Sequence, residues 1–183
     1  MSELTIERNK ERIVSIILFL IIFNVLSAFM IYNPDFFVSG FMRISFFIFI
    51  IGIISFTFTL AMIVSHIALL LSKEKGIILT DSGIVDNSNY ESLGFIKWED
   101  ISHIKSIKQY SGNYLEVTIK NKKKYMTNDK KMNLLKRFLI VMNNWHPNET
   151  IILSDKKLDC TFQELENMVI EKWQNNNIDL LQG

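Results

Sequence analysis

Basic side chains are concentrated in one short stretch of the 183-residue chain. Residues 120–137 contain eight lysines and arginines against Asp129 alone, a local net charge of +7, whereas the whole chain has 20 basic and 19 acidic residues. We call these eight residues the basic cluster: Lys120, Lys122, Lys123, Lys124, Lys130, Lys131, Lys136 and Arg137. Beside a membrane, such a cluster attracts anionic lipid by about 1 kcal/mol per cation. A solvated face, or lysines that guard a sheet edge against aggregation, would have the same composition.

The basic cluster does not have the composition of a nucleic-acid site. Tyr125 is the one aromatic residue that interleaves its lysines, and the net charge of the whole chain is only +1. Proteins that bind nucleic acid by charge and stacking usually combine a strongly basic domain with several aromatic side chains. We therefore expect membrane lipid or a protein as the ligand, and no nucleic acid.

Two small groups of side chains contain the elements of a reactive site. Glu99, Asp100 and His103 are close in sequence, but no second His or Cys at a ligand-like spacing accompanies them. Cys160 with a base such as His146 would make a nucleophilic pair, although a position just before a helix cap is typical of a small buried residue. The chain contains no glycine-rich phosphate loop and no known hydrolase motif. We predict no enzymatic activity, no metal and no cofactor.

The elements that would position these residues fall into two classes, separated by charge. Residues 13–71 contain only Asp35 and Arg43 as charged residues. Two uncharged runs, 13–33 and 44–71, would form helices of about 31 and 42 Å, enough to cross a hydrocarbon core of about 30 Å. The linking residues include Asn-Pro and Ser-Gly pairs that break helices. The pattern predicts a two-helix transmembrane hairpin over 13–71.

Asn24 lies near the middle of the first predicted span, where an amide requires a hydrogen-bonding partner. Packing within the hairpin, self-association as a homo-oligomer and a transport pathway are all consistent with it. His66 is close to the end of the second span, where an interfacial position is expected. Two helices cannot enclose a pathway, so a channel would require an oligomer.

The flanking charges predict the orientation of the hairpin. The basic residues that flank the outer ends of the two spans outnumber those in the connecting loop, which contains only Arg43. The positive-inside rule therefore places both termini in the cytoplasm. The flanking basic residues are Arg8, Lys10, Arg12, Lys73 and Lys75. A cleaved signal peptide is the alternative for the first run, but no small-residue cleavage site follows it. We predict a multi-pass protein of the cytoplasmic (inner) membrane, with residues 1–12 as a cytoplasmic N-terminus.

After Lys75, short apolar segments separated by turn residues predict a soluble domain over 76–175. Strands are expected at 76–80, 84–87, 94–98, 101–110, 114–120 and 150–153. In the fifth of these, Leu115, Val117 and Ile119 alternate with polar residues, which is typical of a half-buried antiparallel strand. In the fourth, an apolar spacing of three rather than two predicts a bulge.

Two amphipathic helices complete the predicted domain. Apolar residues at helical spacing predict one helix over 130–143. The second begins at Thr161, and Glu164 three residues later predicts a capping box. Its apolar stripe should cover the sheet. From 176 to 183 the periodicity is lost, and we predict a flexible tail.

The order of these elements resembles the pleckstrin-homology (PH) pattern of several short antiparallel strands closed by a C-terminal helix. The similarity is strongest in ILTDSGI (78–84), in GFIKWEDI (94–101), and in ILS (152–154) followed by Leu158 and TFQEL (161–165). The chain thus resembles small bacterial membrane proteins with two N-terminal transmembrane helices and a cytoplasmic PH-like domain. The resemblance implies a membrane α-helical hairpin plus an α+β domain: a PH-like antiparallel β-barrel or sandwich with an inserted helix and a C-terminal capping helix.

Three functions are consistent with this organisation. The first is a non-enzymatic, membrane-anchored interaction module that binds a protein partner and, as a further ligand, anionic lipid at the cytoplasmic face. The second is an immunity protein that neutralises a membrane-acting toxin. The third is an oligomeric channel or transporter subunit that uses Asn24 and His66.

Overall fold

A computed structural model describes residues 3–39, 44–110, 112–127, 134–143 and 149–182, and the chain divides into two compact units. The helical hairpin comprises Lys10–Ser72, and the α+β domain combines residues 1–9 with residues 73–183. The N-terminal segment predicted as 1–12 is therefore divided at Asn9. Its first residues belong to the same compact unit as the C-terminal two-thirds of the chain.

Two long antiparallel helices form the hairpin, α1 (Lys10–Tyr32) and α2 (Ser45–Leu71), with a short 3-10 turn at Pro34–Phe37. The start of α1 packs against the end of α2, where Ile13, Ile17 and Leu69 form a buried cluster. At Gly52 the helices approach closely, because an added Cβ would lie 3.0 Å from the Ile31 Cγ1 atom and 3.2 Å from the Ile31 backbone nitrogen. The lengths are about 35 and 41 Å at 1.5 Å per residue.

Both helices are long and apolar enough to cross a membrane. Only 11% and 22% of the residues in their most apolar windows are buried, which distinguishes them from the core helices of a soluble protein. Their apolar side chains instead face outward, as the low charge of residues 13–71 predicts. These properties indicate a membrane-associated protein.

The α+β domain contains two antiparallel sheets. The first has the order β1 (Leu4–Ile6), β2 (Ile77–Leu79), β3 (Gly83–Asp86) and β4 (Gly94–Lys97). The second has the order β5 (Ile101–Gln109), β6 (Gly112–Ile119) and β7 (Thr150–Leu153). Helices α3 (Lys122–Thr127) and α4 (Leu134–Asn143) lie between β6 and β7 in the chain, and α5 (Phe162–Gln182) follows β7. A single 3-10 turn, Trp98–Asp100, connects the two sheets.

One hydrophobic core joins both sheets to α5. The alternation predicted in β6 is confirmed, since Leu115, Val117 and Ile119 are fully buried. The predicted bulge is also observed, as a register shift between Ile101 and His103. Because one side of each strand faces this core, the period-two pattern identified the strands well.

The N-terminus supplies a strand that the sequence pattern did not predict. Leu4–Ile6 pairs with β2, with Leu4 opposite Leu79 and Ile6 opposite Ile77. Ile6 enters the core with 4% exposure. Three residues are too few to show a periodic pattern, and the hairpin separates them from their partner strand by about 70 positions. The domain therefore begins before the hairpin, and the predicted boundary at residue 76 omits β1.

The helix predicted over 130–143 is observed as α4 from Leu134 to Asn143, and residues 130–133 lie outside the described residues. The short helix α3, which the sequence pattern did not predict, precedes it. Two other expectations require correction. No strand pairing joins the two sheets in the described part of the chain, so a closed barrel is not observed. The predicted flexible tail lies largely within α5, which continues to Gln182 because no proline or glycine interrupts it before Gly183.

Candidate interaction surface

The Trp98–Asp100 turn helps to position the basic cluster, because residues of that cluster bond to it. Trp98 is 2% exposed, and its Nε1 donates a hydrogen bond to the Thr80 carbonyl oxygen at 2.9 Å. The backbone nitrogen of Lys120, at the end of β6, donates to the Asp100 carbonyl oxygen at 2.8 Å. The turn therefore fixes the point at which the chain leaves the second sheet and enters α3.

Asp100 attaches α3 to this turn. Its Oδ2 accepts hydrogen bonds from the Lys124 ammonium, at 2.8 Å, and from the Tyr125 hydroxyl. These two bonds hold the pKa of Asp100 below its usual value, because hydrogen bonds to a carboxylate favour its charged form. Burial, followed by the bond to Asp100, raises the pKa of Tyr125. Asp100 thus acts as a structural anchor.

Three members of the basic cluster bind groups within the domain. Lys122 is only 7% exposed, and its ammonium donates to the Thr150 carbonyl oxygen at 2.6 Å. Burial lowers the pKa of Lys122. Lys120 donates to the Glu99 carbonyl oxygen at 2.7 Å. Lys122 thus attaches α3 to β7, while Lys120 and Lys124 bond the Trp98–Asp100 turn. The net charge of +7 therefore overstates what a ligand would meet.

The other described members of the cluster lie on the outer surfaces of α3 and α4. Lys123 and Arg137 are exposed, and Lys136 is partly exposed. Lys130 and Lys131 lie outside the described residues. Exposed apolar side chains of α4 accompany these cations, namely Leu134, Phe138 and Val141. We call five exposed residues of these two helices, leaving out Lys124 because it pairs with Asp100, the α3–α4 surface: Lys123, Leu134, Arg137, Phe138 and Val141.

Asn24, the candidate helix–helix contact, lies against α2. Its Nδ2 donates to the Thr59 hydroxyl at 2.8 Å and to the Phe56 carbonyl oxygen at 3.0 Å. The Thr59 hydroxyl donates in turn to the Ser55 carbonyl oxygen at 2.8 Å. The amide is therefore bonded within the hairpin. His66 is also buried, and its Nδ1 lies 2.8 Å from the Met62 carbonyl oxygen one turn earlier.

The structure does not bring together a reactive site from the described members of the two candidate groups, Glu99 with Asp100 and His103, and Cys160 with His146. Asp100 is occupied by Lys124 and Tyr125, and the Glu99 carboxylate pairs with Lys97 at 2.9 Å. His103 is exposed on β5, and Cys160 is partly buried before α5. His146 lies outside the described residues. Within the described ranges, no group of three or more His, Cys, Asp or Glu side chains is arranged to hold a metal.

Sequence reasoning missed a buried polar network that begins at the last residue of β3 and continues into the loop before β4. Asp86 is 5% exposed and accepts hydrogen bonds from the Ser88 backbone nitrogen at 2.9 Å and the Ser88 hydroxyl at 2.6 Å. Burial raises the pKa of Asp86. Lys157, whose pKa burial lowers, donates to the Asn89 side chain at 2.7 Å. The Asp-Asn-Ser run at 86–88 is an Asx-turn signal that identifies the local bonds, but it does not reveal the distant lysine.

Comparisons with protein-family models, curated proteins and solved structures found no match for this chain.

Proposed function

We propose that this protein is a membrane-anchored interaction module without catalytic activity. In this proposal, α1 and α2 cross the cytoplasmic membrane as a hairpin, and the α+β domain lies on the cytoplasmic side. There it binds a protein partner, with anionic lipid as a further ligand, through the α3–α4 surface. One observation carries the proposal: the strand before the hairpin pairs with the strand after it.

The pairing of β1 with β2 supports an arrangement with both ends of the hairpin on one side. Three residues join β1 to α1, and five residues join α2 to β2. Leu4 and Leu79 are nevertheless opposite one another in a single sheet. A chain that crossed the membrane once would separate these strands by the thickness of the bilayer. The flanking basic residues then favour the cytoplasm as the shared side.

The arrangement of strands supports a PH-like assignment for the domain. A sheet of four strands and a sheet of three share one core, and a C-terminal helix packs on that core. In this view the hairpin is an insertion between the first and second strands.

The α3–α4 surface supports a binding role for the domain. It combines exposed apolar side chains with the exposed cations Lys123 and Arg137. Apolar patches rimmed by polar groups are typical of interaction sites on soluble domains. Arg is also enriched in protein interfaces.

Cysteine labelling of the full chain in cells tests the proposed topology. In a Cys160→Ala background, Asp35→Cys in the hairpin turn should react with a membrane-impermeant maleimide in intact cells. Gln163→Cys, at an exposed position of α5, should react only after permeabilisation. Labelling of Gln163→Cys in intact cells would refute the proposed orientation.

Photo-crosslinking tests the proposed binding. A photoreactive amino acid at position 123 should crosslink in cells to a protein of defined mass. The matched control replaces Lys108, which is exposed on β5, and should give no such product. Equal products from both positions, or from neither, would contradict a protein-binding role for this surface.

A further inference from the structure

Helix α4 has two apolar faces. Leu139 and Ile140 are buried, with 5% and 2% exposure. Leu134, Phe138 and Val141 remain 85%, 50% and 53% exposed. An amphipathic helix on a soluble domain normally exposes polar residues opposite its buried face. The sequence of α4, LLKRFLIVMN, provides only Lys136 and Arg137 as charged residues for that purpose.

The exposed side chains form one continuous stripe. Leu134, Phe138 and Val141 are spaced by four and three residues, which aligns them along one side of a helix. We call these three residues the apolar stripe. Arg137 lies beside the stripe, one turn from both Leu134 and Val141 in the helical repeat. The stripe therefore has a cation at its border.

This exposure differs from that of the other surface residues of the domain. Leu4, Phe95 and Ile152, each about 40% exposed, lie on three different strands. Single exposed apolar residues are ordinary on protein surfaces, whereas a contiguous set usually marks a binding surface. The apolar stripe is such a set, and its first residue, Leu134, lies within the basic stretch 120–137.

We propose that α4 is an interfacial helix that docks on an anionic bilayer, with the apolar stripe among the upper acyl chains and Arg137 at the phosphate level. Two observations favour a bilayer as the occupant. Arg137 beside the stripe complements anionic lipid, and the same chain carries two apolar helices that associate it with a membrane. The inference rests on the proposed function and assigns the α4 part of the α3–α4 surface to lipid, which leaves the α3 part, at Lys123, for the protein partner.

Docking of α4 would give the domain a third attachment to the bilayer besides the two linkers of the hairpin. Short linkers raise the effective concentration of a second binding site, so a short helix that binds lipid weakly by itself can dock when tethered. A domain docked in this way would present the remaining sheet and loop surfaces in a fixed orientation.

Depth measurements on the reconstituted full chain test the proposal. Spin labels are placed at Phe138→Cys and Val141→Cys in the Cys160→Ala background, with Ser102→Cys, on exposed β5, as the matched control. The chain is reconstituted in phosphatidylcholine vesicles and in vesicles of equal parts phosphatidylcholine and phosphatidylglycerol. Oxygen, which concentrates in the hydrocarbon, and a water-soluble nickel complex report the depth of each label.

In the anionic vesicles, we expect the oxygen-to-nickel collision ratio to be several-fold higher at positions 138 and 141 than at 102. Arg137→Glu should reduce that ratio towards the control value, and Arg137→Lys should preserve it. Aqueous ratios at both stripe positions in anionic vesicles would overturn the inference. Spin–spin broadening at 138 would also overturn it, by identifying a second copy as the occupant.

The experiments distinguish a failure of lipid docking by α4 from a failure of the proposed function. Cysteine labelling that confirms the topology, together with aqueous labels at 138 and 141, would reject lipid docking and retain the anchored module. If position 138 then crosslinks to another protein in cells, the occupant is that protein and the lipid proposal fails. If the topology itself fails, the labelling pattern of Gln163→Cys reveals it independently of any depth measurement.

Discussion

The helical hairpin and the α+β domain place their apolar side chains in opposite ways. In the hairpin, Phe19 and Ile22 are 60% and 67% exposed, whereas the polar Thr59 is 9% exposed. In the domain, Leu115 and Leu153 are fully buried. Because apolar surface is stable only where water is absent, each unit indicates the solvent for which it is built. In the domain, the apolar stripe of α4 has the outward apolar character of the hairpin.

The largest expected effect concerns the boundary between the two units. Ile6 precedes the hairpin but lies in the core of the domain, so Ile6→Asp should unfold the domain or cost about 4 kcal/mol or more, as an uncompensated buried charge does. Thr5→Asp, at the exposed neighbouring position, should change the free energy of unfolding by less than about 1 kcal/mol. Urea unfolding of the full chain in detergent, followed by tryptophan fluorescence, measures both.

An unchanged unfolding midpoint for Ile6→Asp would show that the N-terminal residues do not belong to the domain. It would also remove the main support for placing both ends of the hairpin on one side. A fragment that begins at residue 76 lacks β1, and we expect it to be less stable for the same reason.

A second prediction concerns packing inside the hairpin. Gly52→Leu introduces a side chain where even a Cβ would lie 3.0 Å from Ile31. Overpacking of this kind costs about 1–3 kcal/mol. Ile54→Leu, at a position 64% exposed, is the matched control and should have little effect. Thermal loss of helical circular dichroism in detergent provides the comparison, and equal midpoints would contradict close packing at Gly52.

The features that were predictable from sequence share one property: each depends on a pattern of residue types within a single segment of the chain. The uncharged runs 13–33 and 44–71 predicted α1 and α2, and the alternation in β6 predicted the burial of Val117. The capping box is likewise confirmed, since the Thr161 backbone nitrogen donates to Glu164 Oε2 at 2.8 Å and the Glu164 nitrogen donates to Thr161 Oγ1 at 3.3 Å. Such local patterns are encoded within a few residues.

The features that sequence could not reveal depend on contacts between distant segments. β1 becomes a strand only because β2 provides its partner. The charge of the basic cluster also could not be divided into internal and exposed parts, because the partner of Lys122 is the backbone of Thr150, 28 positions away. A lysine that supports its own fold and one that faces a ligand have the same sequence signature.

A third prediction concerns the polar contact inside the hairpin. Asn24→Leu removes the donor to Thr59 and to the Phe56 carbonyl oxygen, and we expect a loss of about 1 kcal/mol, the usual scale for hydrogen bonds between membrane helices. The control is Thr57→Val, because the exposed Thr57 bonds only the Ile53 carbonyl oxygen of its own helix. A double-mutant cycle that combines Asn24→Leu with Thr59→Val isolates the energy of the hydrogen bond between the two side chains. If the losses of stability in the two single variants simply add in the double variant, the direct bond is contradicted.

The smallest expected effects concern pH, and they involve two carboxylates of the α+β domain, Asp100 and Asp86. Asp100 and Asp86 should act with opposite sign. Hydrogen bonds from Lys124 and Tyr125 lower the pKa of Asp100, so its contribution to stability is present above the unfolded value of about 3.9 and is lost as the pH falls through the lower folded value. Burial raises the pKa of Asp86, so its contribution is present below about 3.9 and is lost as the pH rises through the folded value.

Two conservative variants separate these contributions. Asp100→Asn should flatten the loss of stability on acidification from about pH 7 to about pH 3, the range in which carboxylates titrate. Asp86→Asn retains an acceptor for Ser88 and should remove the penalty that the buried carboxylate imposes as the pH rises. Urea midpoints of the full chain across this range measure both slopes. Parallel profiles for the two variants would contradict opposite roles. Such a result would show that Asp100, in the turn that binds α3, and the buried Asp86, at the end of β3, do not differ in how their charge affects stability.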